Sequence, residues 1–186
     1  MKRDQSKWDN IYTNNAFPVH PSSIVEAFYQ FAKTGNALDI AAGNGRNAKY
    51  LAKKGFTVDA IDISKVGLDL AENGNPNIRL LQQDLDYYAL KNNHYDLIIN
   101  INYLNRRLFP FIVNSLKPSG FLIFQTFIWD HSVSRRKGTS QYDHYLLPNE
   151  LLHSFLTLHI HRYCEEESEK PKGTKTKVAT LVGQKR

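Results

Sequence analysis

Cysteine is nearly missing from this chain. Cys164 stands alone among 186 residues, so no internal disulfide can staple the fold. Long apolar runs are missing too. None approaches the roughly 18 residues that a membrane-spanning helix needs. The charged opening Met1-Lys2-Arg3-Asp4-Gln5-Ser6-Lys7-Trp8 is not followed by the apolar stretch of a secretory leader. These absences lead us to expect a cytoplasmic location with no membrane contact. There is no internal repeat and no low-complexity linker. No metal site is expected.

What is present is enough for a core. Hydrophobic residues make up 41% of the chain and aromatics 12%, which at this length reads as one domain, residues 1–186. The formal net charge of +6 is uneven. Residues 39–100 are nearly balanced, whereas Arg135-Arg136-Lys137 and the lysines from Lys170 to Lys177 make the C-terminal third basic. Such a region is either a solvated loop and hairpin or a surface for an anionic partner.

The pattern along the chain is alternating β and α. Residues 1–21 form a polar arm with scattered aromatics (Trp8, Tyr12, Phe17), closed by Pro18 and Pro21. Ser22 or Ser23 is placed to cap a helix to about Lys33. Strands are expected at 37–41, 56–61, 78–82, 94–101 and 121–127. Leu97-Ile98-Ile99 has the continuous apolar character of a parallel strand buried on both faces. Helices are expected at 47–54, from Ser64 to about 72, and at 104–116, where Pro110 marks a kink or a split. Residues 129–147 read as a long loop, and Pro148-Asn149-Glu150-Leu151-Leu152 opens a short helix. Strands at 158–163 and 176–182, joined by the charged stretch 165–175, form a terminal hairpin. A parallel sheet with an antiparallel strand near its edge follows.

The chemistry concentrates in Ala37-Leu38-Asp39-Ile40-Ala41-Ala42-Gly43-Asn44-Gly45-Arg46-Asn47. An apolar strand runs into a turn of very small residues and then a helix, which brings backbone close to a nucleotide. Asp39 then discriminates between ligands. It would repel a pyrophosphate and attract a cation, which points to S-adenosylmethionine, with its ammonium and sulfonium, over NAD. Asp62 ends the second strand, where a carboxylate accepts ribose hydroxyls. Asp84 follows the third strand, placed to bond an adenine amino group while Leu85 covers the ring. Arg46 is placed to pair with a cofactor carboxylate or an anionic substrate. The stretch Gly43-x-Gly45-x-x-Ala48 also satisfies the dinucleotide fingerprint. Asp39 and the shortness of the chain after the fourth strand argue against NAD.

On these motifs, residues 36–127 resemble the core of a class I S-adenosylmethionine-dependent methyltransferase, and Gly43 to Ala48 resemble the tellurite-resistance-type branch, which acts on small molecules. The resemblance implies a three-layer, Rossmann-like α/β fold with a seven-stranded, mostly parallel sheet in the order 3-2-1-4-5-7-6. It implies that Asp39, Ala41, Gly43, Gly45, Arg46 and Asn47 hold the methionine end of the cofactor. Asp62 with Ile63 would take the ribose, Asp84 with Leu85 the adenine, and Asn100 and Asn102 would face the methyl group. Trp8-Asp9-x-x-Tyr12 resembles the arm that folds over the cofactor, so Trp8 and Tyr12 are expected to cover it, with residues 1–20 mobile until it binds. Ala41 departs from the family pattern, where Gly is commoner.

The acceptor is less legible. After the fourth strand come Asn100-Ile101-Asn102-Tyr103, without the Asp/Asn-Pro-Pro-aromatic run of enzymes that methylate amino groups of nucleic acids. No cysteine lies there for cytosine-C5 chemistry. A small-molecule acceptor is expected, anionic or a soft nucleophile, bound by Tyr103, Arg106, Tyr142 and His144, with Trp129, His131 and Tyr145 nearby. No catalytic base is identified. The protein is expected to act as a monomer or homodimer. A nucleic-acid or protein-binding module on a methyltransferase fold, and an NAD-dependent oxidoreductase, remain the alternatives.

Overall fold

Strand β4 (Tyr95–Ile101) is the centre from which the architecture grows. Leu97, Ile98 and Ile99 are fully buried, and each such side chain contributes roughly 1.5–3 kcal/mol when removed from water. The computed structural model describes residues 2–72, 74–129, 144–170 and 174–186. β4 pairs in parallel with β1 (Asn36–Ile40) on one side and β5 (Leu116–Ile128) on the other. β1 continues in parallel to β2 (Thr57–Asp62), and β2 to β3 (Ile78–Gln82). Beyond β5 the direction reverses. β7 (Thr174–Gln184) runs antiparallel to it, and β6 (His159–Lys170) closes the edge, antiparallel to β7. The sheet order is β3-β2-β1-β4-β5-β7-β6, as the family resemblance implied.

Two apolar layers flank this sheet. One buries Ala37, Val58, Leu97, Ile99 and Ile123 under α2 (Ser23–Phe28) and α3 (Arg46–Lys53), through Ile24, Val25, Ala48 and Leu51. The other buries Leu38, Ile40, Ile98, Leu122 and Phe124 under α5 (Phe109–Ser115) and α6 (Glu150–Ser154), through Phe109, Ile112, Leu151 and Phe155. Neighbours along β1 therefore alternate between layers, as strand geometry requires. A polar cluster holds the far end of the sheet. Asp59 accepts from Arg79 at 2.8 and 2.6 Å, from Tyr95 at 2.8 Å and from Lys91 at 3.2 Å.

Several elements differ from the sequence expectation. The polar arm is helical over most of its length. Residues Lys2–Asn14 form helix α1, lying on α4 (Lys65–Ala71). The helix expected to reach Lys33 stops at Phe28, and a 3-10 turn, Tyr29–Phe31, follows. The 104–116 segment divides at Pro110 into a 3-10 turn, Arg106–Leu108, and α5, because proline suits a first helical turn. The hairpin strands run deeper into the charged stretch than expected, since an edge strand needs no apolar outer face. Most of the loop expected at 129–147, including His131 and Tyr142, lies outside the described residues. Among the described residues, no helix is long and apolar enough to cross a membrane.

Candidate functional site

The small-residue turn joins β1 to α3 at the carboxyl end of the sheet. Ala41, Gly43 and Gly45 all have positive φ, at 54°, 56° and 67°. Glycine adopts this region freely, but at Ala41 the Cβ makes it strained, by about 1–2 kcal/mol. The family preference for Gly there thus has a physical reason in this backbone. Gly45 caps α3, and a Cβ on it would lie 2.6 Å from the Ala71 Cβ, so glycine also lets α3 and α4 approach.

Asp39 is buried on β1 and aimed under this turn. The Ala48 backbone N–H donates to its carboxylate, yet Oδ2 has no partner. Burial raises its pKa to about 7, the nearby Asp62 carboxylate adds to the rise, and Arg46 opposes it. Asp62 ends β2 and accepts two backbone N–H groups, Gly43 to Oδ2 and Ser64 to Oδ1, both at 2.8 Å. Burial raises its pKa as well, against those N–H bonds. Asp62 thus braces the turn and is also the acid at the strand end. On β4, Asn100 is buried and both its amide atoms lack partners. Asn102 follows with φ 61°, an unusual backbone conformation that asparagine tolerates better than most residues. Buried polar atoms without partners are rare and costly, and they cluster here at the ends of adjacent strands.

Helix α1 enters the site in a way the sequence did not reveal. Asp9 accepts from the Ser64 hydroxyl at 2.6 Å and from the Val66 N–H at 3.2 Å, seating α1 on the start of α4. The Ser64 bond is the main reason the Asp9 pKa is lowered. Tyr12 then points into the crevice. A Cβ on Gly43 would lie 2.1 Å from the Tyr12 hydroxyl, so the phenol stands directly over the turn. Burial, with Asp62 and Asp39 nearby, raises the Tyr12 pKa. Trp8 remains largely exposed, its ring centre 6.2 Å from that of Tyr12. The expected cover is a helix with its own docking contacts, and its tyrosine fills part of the space it was expected to roof.

The remaining candidates separate by position. Asn47 is buried and uses Oδ1 to accept the Ser22 N–H at 2.8 Å, tying α3 to the chain before α2. Arg46 donates to the His20 carbonyl at 3.2 Å. Ile63 is half-buried beside Asp62. Asp84 is half-buried and accepts the Asp86 N–H at 3.0 Å, while Leu85 is buried in the core. Tyr103 is half-buried, its pKa raised by burial, with Asn105 beside its hydroxyl. Arg106 is engaged away from the crevice. It forms a forked pair with Glu150, Nε to Oε1 at 2.5 Å and Nη2 to Oε2 at 2.9 Å, and also reaches the Tyr145 carbonyl. The guanidinium expected to meet an anionic acceptor thus locks α6 against the turn before α5. His144 is exposed, and Tyr142 lies outside the described residues. Among the described residues, no group of three or more His, Cys, Asp or Glu is arranged to hold a metal ion.

A turn of small residues, with a buried acid beneath it that has one oxygen unpartnered, lies at the carboxyl end of a 3-2-1-4-5-7-6 sheet. Residues 37–120 match the methyltransferase domain family, and the fold is similar to that of S-adenosylmethionine-dependent methyltransferases. The chain is similar to YqeM of Bacillus subtilis, a methyltransferase by name, with 32% identity over 102 residues. That match covers 48% of this chain and 41% of YqeM, so the chain spans well under half of that relative's length. Its fold is similar to that of TehB from Haemophilus influenzae, with a TM-score of 0.75, 22% identity and coverage of 98% of this chain and 67% of TehB. It is also similar to the 1,6-didemethyltoxoflavin-N1-methyltransferase of Burkholderia thailandensis, solved with S-adenosylhomocysteine and 1,6-didemethyltoxoflavin bound. There the TM-score is 0.69 at 18% identity, covering 99% of this chain and 84% of that one.

Proposed function

We propose that this chain transfers a methyl group from S-adenosylmethionine to a small-molecule acceptor, and that residues 1–186 act as one domain in doing so. The observation that carries the reading is the buried Asp39 carboxylate, one oxygen of which lacks any partner. A buried acid in that state favours a cationic ligand over an anionic one. The glycine turn fits the same ligand, because Gly43 lacks the Cβ that would bar close approach.

When bound, the cofactor supplies an electrophilic methyl group. The chain supplies position. Asp39 would attract the ammonium, Asp62 would take the ribose hydroxyls, and Asp84 with Leu85 would hold the adenine. Asn100, whose amide atoms lack partners, and Asn102 would line the methyl end. Methyl transfer is an in-line displacement, so alignment of donor and acceptor supplies much of the rate. A soft or anionic acceptor needs no general base. Tyr103, at the exit of β4, is the acceptor-side candidate left facing this end once Arg106 is engaged by Glu150. The Burkholderia structural neighbour, named for methylating a small heterocycle, supports a small acceptor.

Calorimetry with S-adenosylmethionine, S-adenosylhomocysteine and NADH tests the cofactor assignment. A panel of small thiols, amines and carboxylates, read by S-adenosylhomocysteine release, tests turnover. Binding of NADH without binding of S-adenosylmethionine overturns the reading.

A further inference from the structure

A pocket of about 400 Å³ opens beside the crevice, between the end of α1, α3 and α4. Tyr12 and Arg46 border both spaces, but the new pocket's other walls, among them Phe17, Val19, Lys49 and Leu70, take no part in the methyl-transfer reading. Two features of these walls point the same way. The cations have only neutral partners in the hydrogen bonds they make. Arg46 donates to the His20 carbonyl at 3.2 Å and Lys49 to the Leu70 carbonyl at 2.8 Å. No Asp or Glu lines the pocket. Its apolar part is also uncovered. Val19 is 76% exposed and Leu70 50% exposed, and the tilted rings of Tyr12 and Phe17, with centres 4.4 Å apart, form a wall beside them.

We infer that this pocket binds a small amphipathic anion, a carboxylate or sulfonate carried on an apolar body of one or two rings. A bare inorganic anion would satisfy Arg46 and Lys49 but leave Val19, Leu70 and Phe17 in water. A neutral hydrocarbon would cover those side chains and strip water from two cations without replacing it. Only a ligand with both parts meets the whole lining, its charge on Arg46 and Lys49 and its ring on the apolar side. The inference goes beyond the methyl-transfer reading and does not depend on it.

Titration of the full chain with 2-naphthoate, followed by calorimetry and by amide shifts of Ala16 and Asn44, tests the site. The neutral 2-naphthamide and inorganic phosphate serve as the two partial ligands. We expect saturable naphthoate binding, with each partial ligand weaker by roughly tenfold or more. Lys49→Gln and Leu70→Ser should each weaken naphthoate severalfold, Lys49→Arg should restore it, and S-adenosylmethionine affinity and melting temperature should hold. Equal binding of naphthoate and naphthamide overturns the inference. So does equal binding by wild type and both variants, or the absence of saturable binding at millimolar naphthoate. If S-adenosylhomocysteine displaces naphthoate while Lys49→Gln does not weaken it, the anion lies in the crevice and the inference also fails.

Discussion

Replacing Asp39 by Asn removes one charge and keeps the shape, and the structure sets the expected outcome. The carboxyl is buried, its pKa raised to about 7 chiefly by that burial. At neutral pH it is thus poised between charge states, and an adjacent ammonium would draw it fully into the ionised one. One such pair at about 4 Å and an effective dielectric near 20 is worth roughly 4 kcal/mol before desolvation is subtracted. Desolvation offsets much of this, so we expect Asp39→Asn to weaken S-adenosylmethionine binding by about 1–3 kcal/mol. Wild-type affinity should also rise roughly tenfold from pH 5.5 to 7, as less work is needed to ionise Asp39, and the Asn variant should lack that increment. Stability of the unliganded protein has the opposite pH trend. A group whose folded pKa is raised from 3.8 to about 7 contributes stability that is full below the lower value and lost as pH rises through the upper one. Between those limits the loss approaches about 1.4 kcal/mol per pH unit, and Asp39→Asn should flatten it. Calorimetry across this pH range, with urea unfolding of the unliganded proteins, measures both effects. Unchanged affinity in the Asn variant, together with reduced stability, would refute the cationic-ligand argument and leave Asp39 as a turn brace for Ala48.

Asp62→Ala should weaken S-adenosylmethionine binding by about 1.5–3 kcal/mol and also lower the melting temperature, because Gly43 and Ser64 lose their acceptor; wild-type affinity by calorimetry would reject the ribose role. Ala41→Gly should raise stability by up to about 1 kcal/mol in urea titration, since relief of a positive φ exceeds the added freedom of the unfolded chain. Glu150→Gln should shift the urea midpoint down by about 1 kcal/mol while leaving cofactor affinity unchanged, because the Arg106 pair anchors α6 rather than the crevice. Asp9→Ala should tighten S-adenosylmethionine binding severalfold, an outcome calorimetry reads directly.

The parallel half of the sheet was legible because each of its central strands is buried on both faces. Leu97-Ile98-Ile99 has no alternation to hide, and Gly55 and the Asn73-Gly74-Asn75-Pro76 run end their helices by local chemistry alone. The three strand-end acids were legible for the same reason, since position at a strand end follows from sequence once the strand is known. What stayed hidden depends on contacts between residues distant in the chain. Arg106 looked free because its partner, Glu150, is 44 residues away. The bond between Asn47 Oδ1 and the Ser22 N–H was hidden because nothing local in the sequence shows it. Helix α1 read only as a polar arm because its seat on α4 rests on the Asp9–Ser64 bond across 55 residues. The Glu165–Lys175 stretch looked like a loop because charge on an exposed edge strand carries no periodic signal.

The Asp9 result bears on the arm because two mechanisms predict opposite signs. A lid that adds contacts to a bound ligand strengthens binding, so releasing it weakens affinity. A helix that occupies the ligand's own space must be displaced first, so releasing it strengthens apparent affinity by the fraction of closed molecules it frees. The geometry favours displacement. The Tyr12 hydroxyl stands 2.1 Å from where a Gly43 Cβ would be, in the space that the missing side chain opens to a ligand. On the proposed reading, the same absence of a Cβ would admit two competing occupants, the chain's own phenol and the cofactor. The Asp9 bonds to Ser64 and Val66 hold the phenol there, and Ser64 links them to Asp62, whose carboxylate accepts the Ser64 N–H. On the proposed reading, affinity for the cofactor would be a difference between what the three acids offer and what lifting α1 costs, and the seat on α4 would tune it.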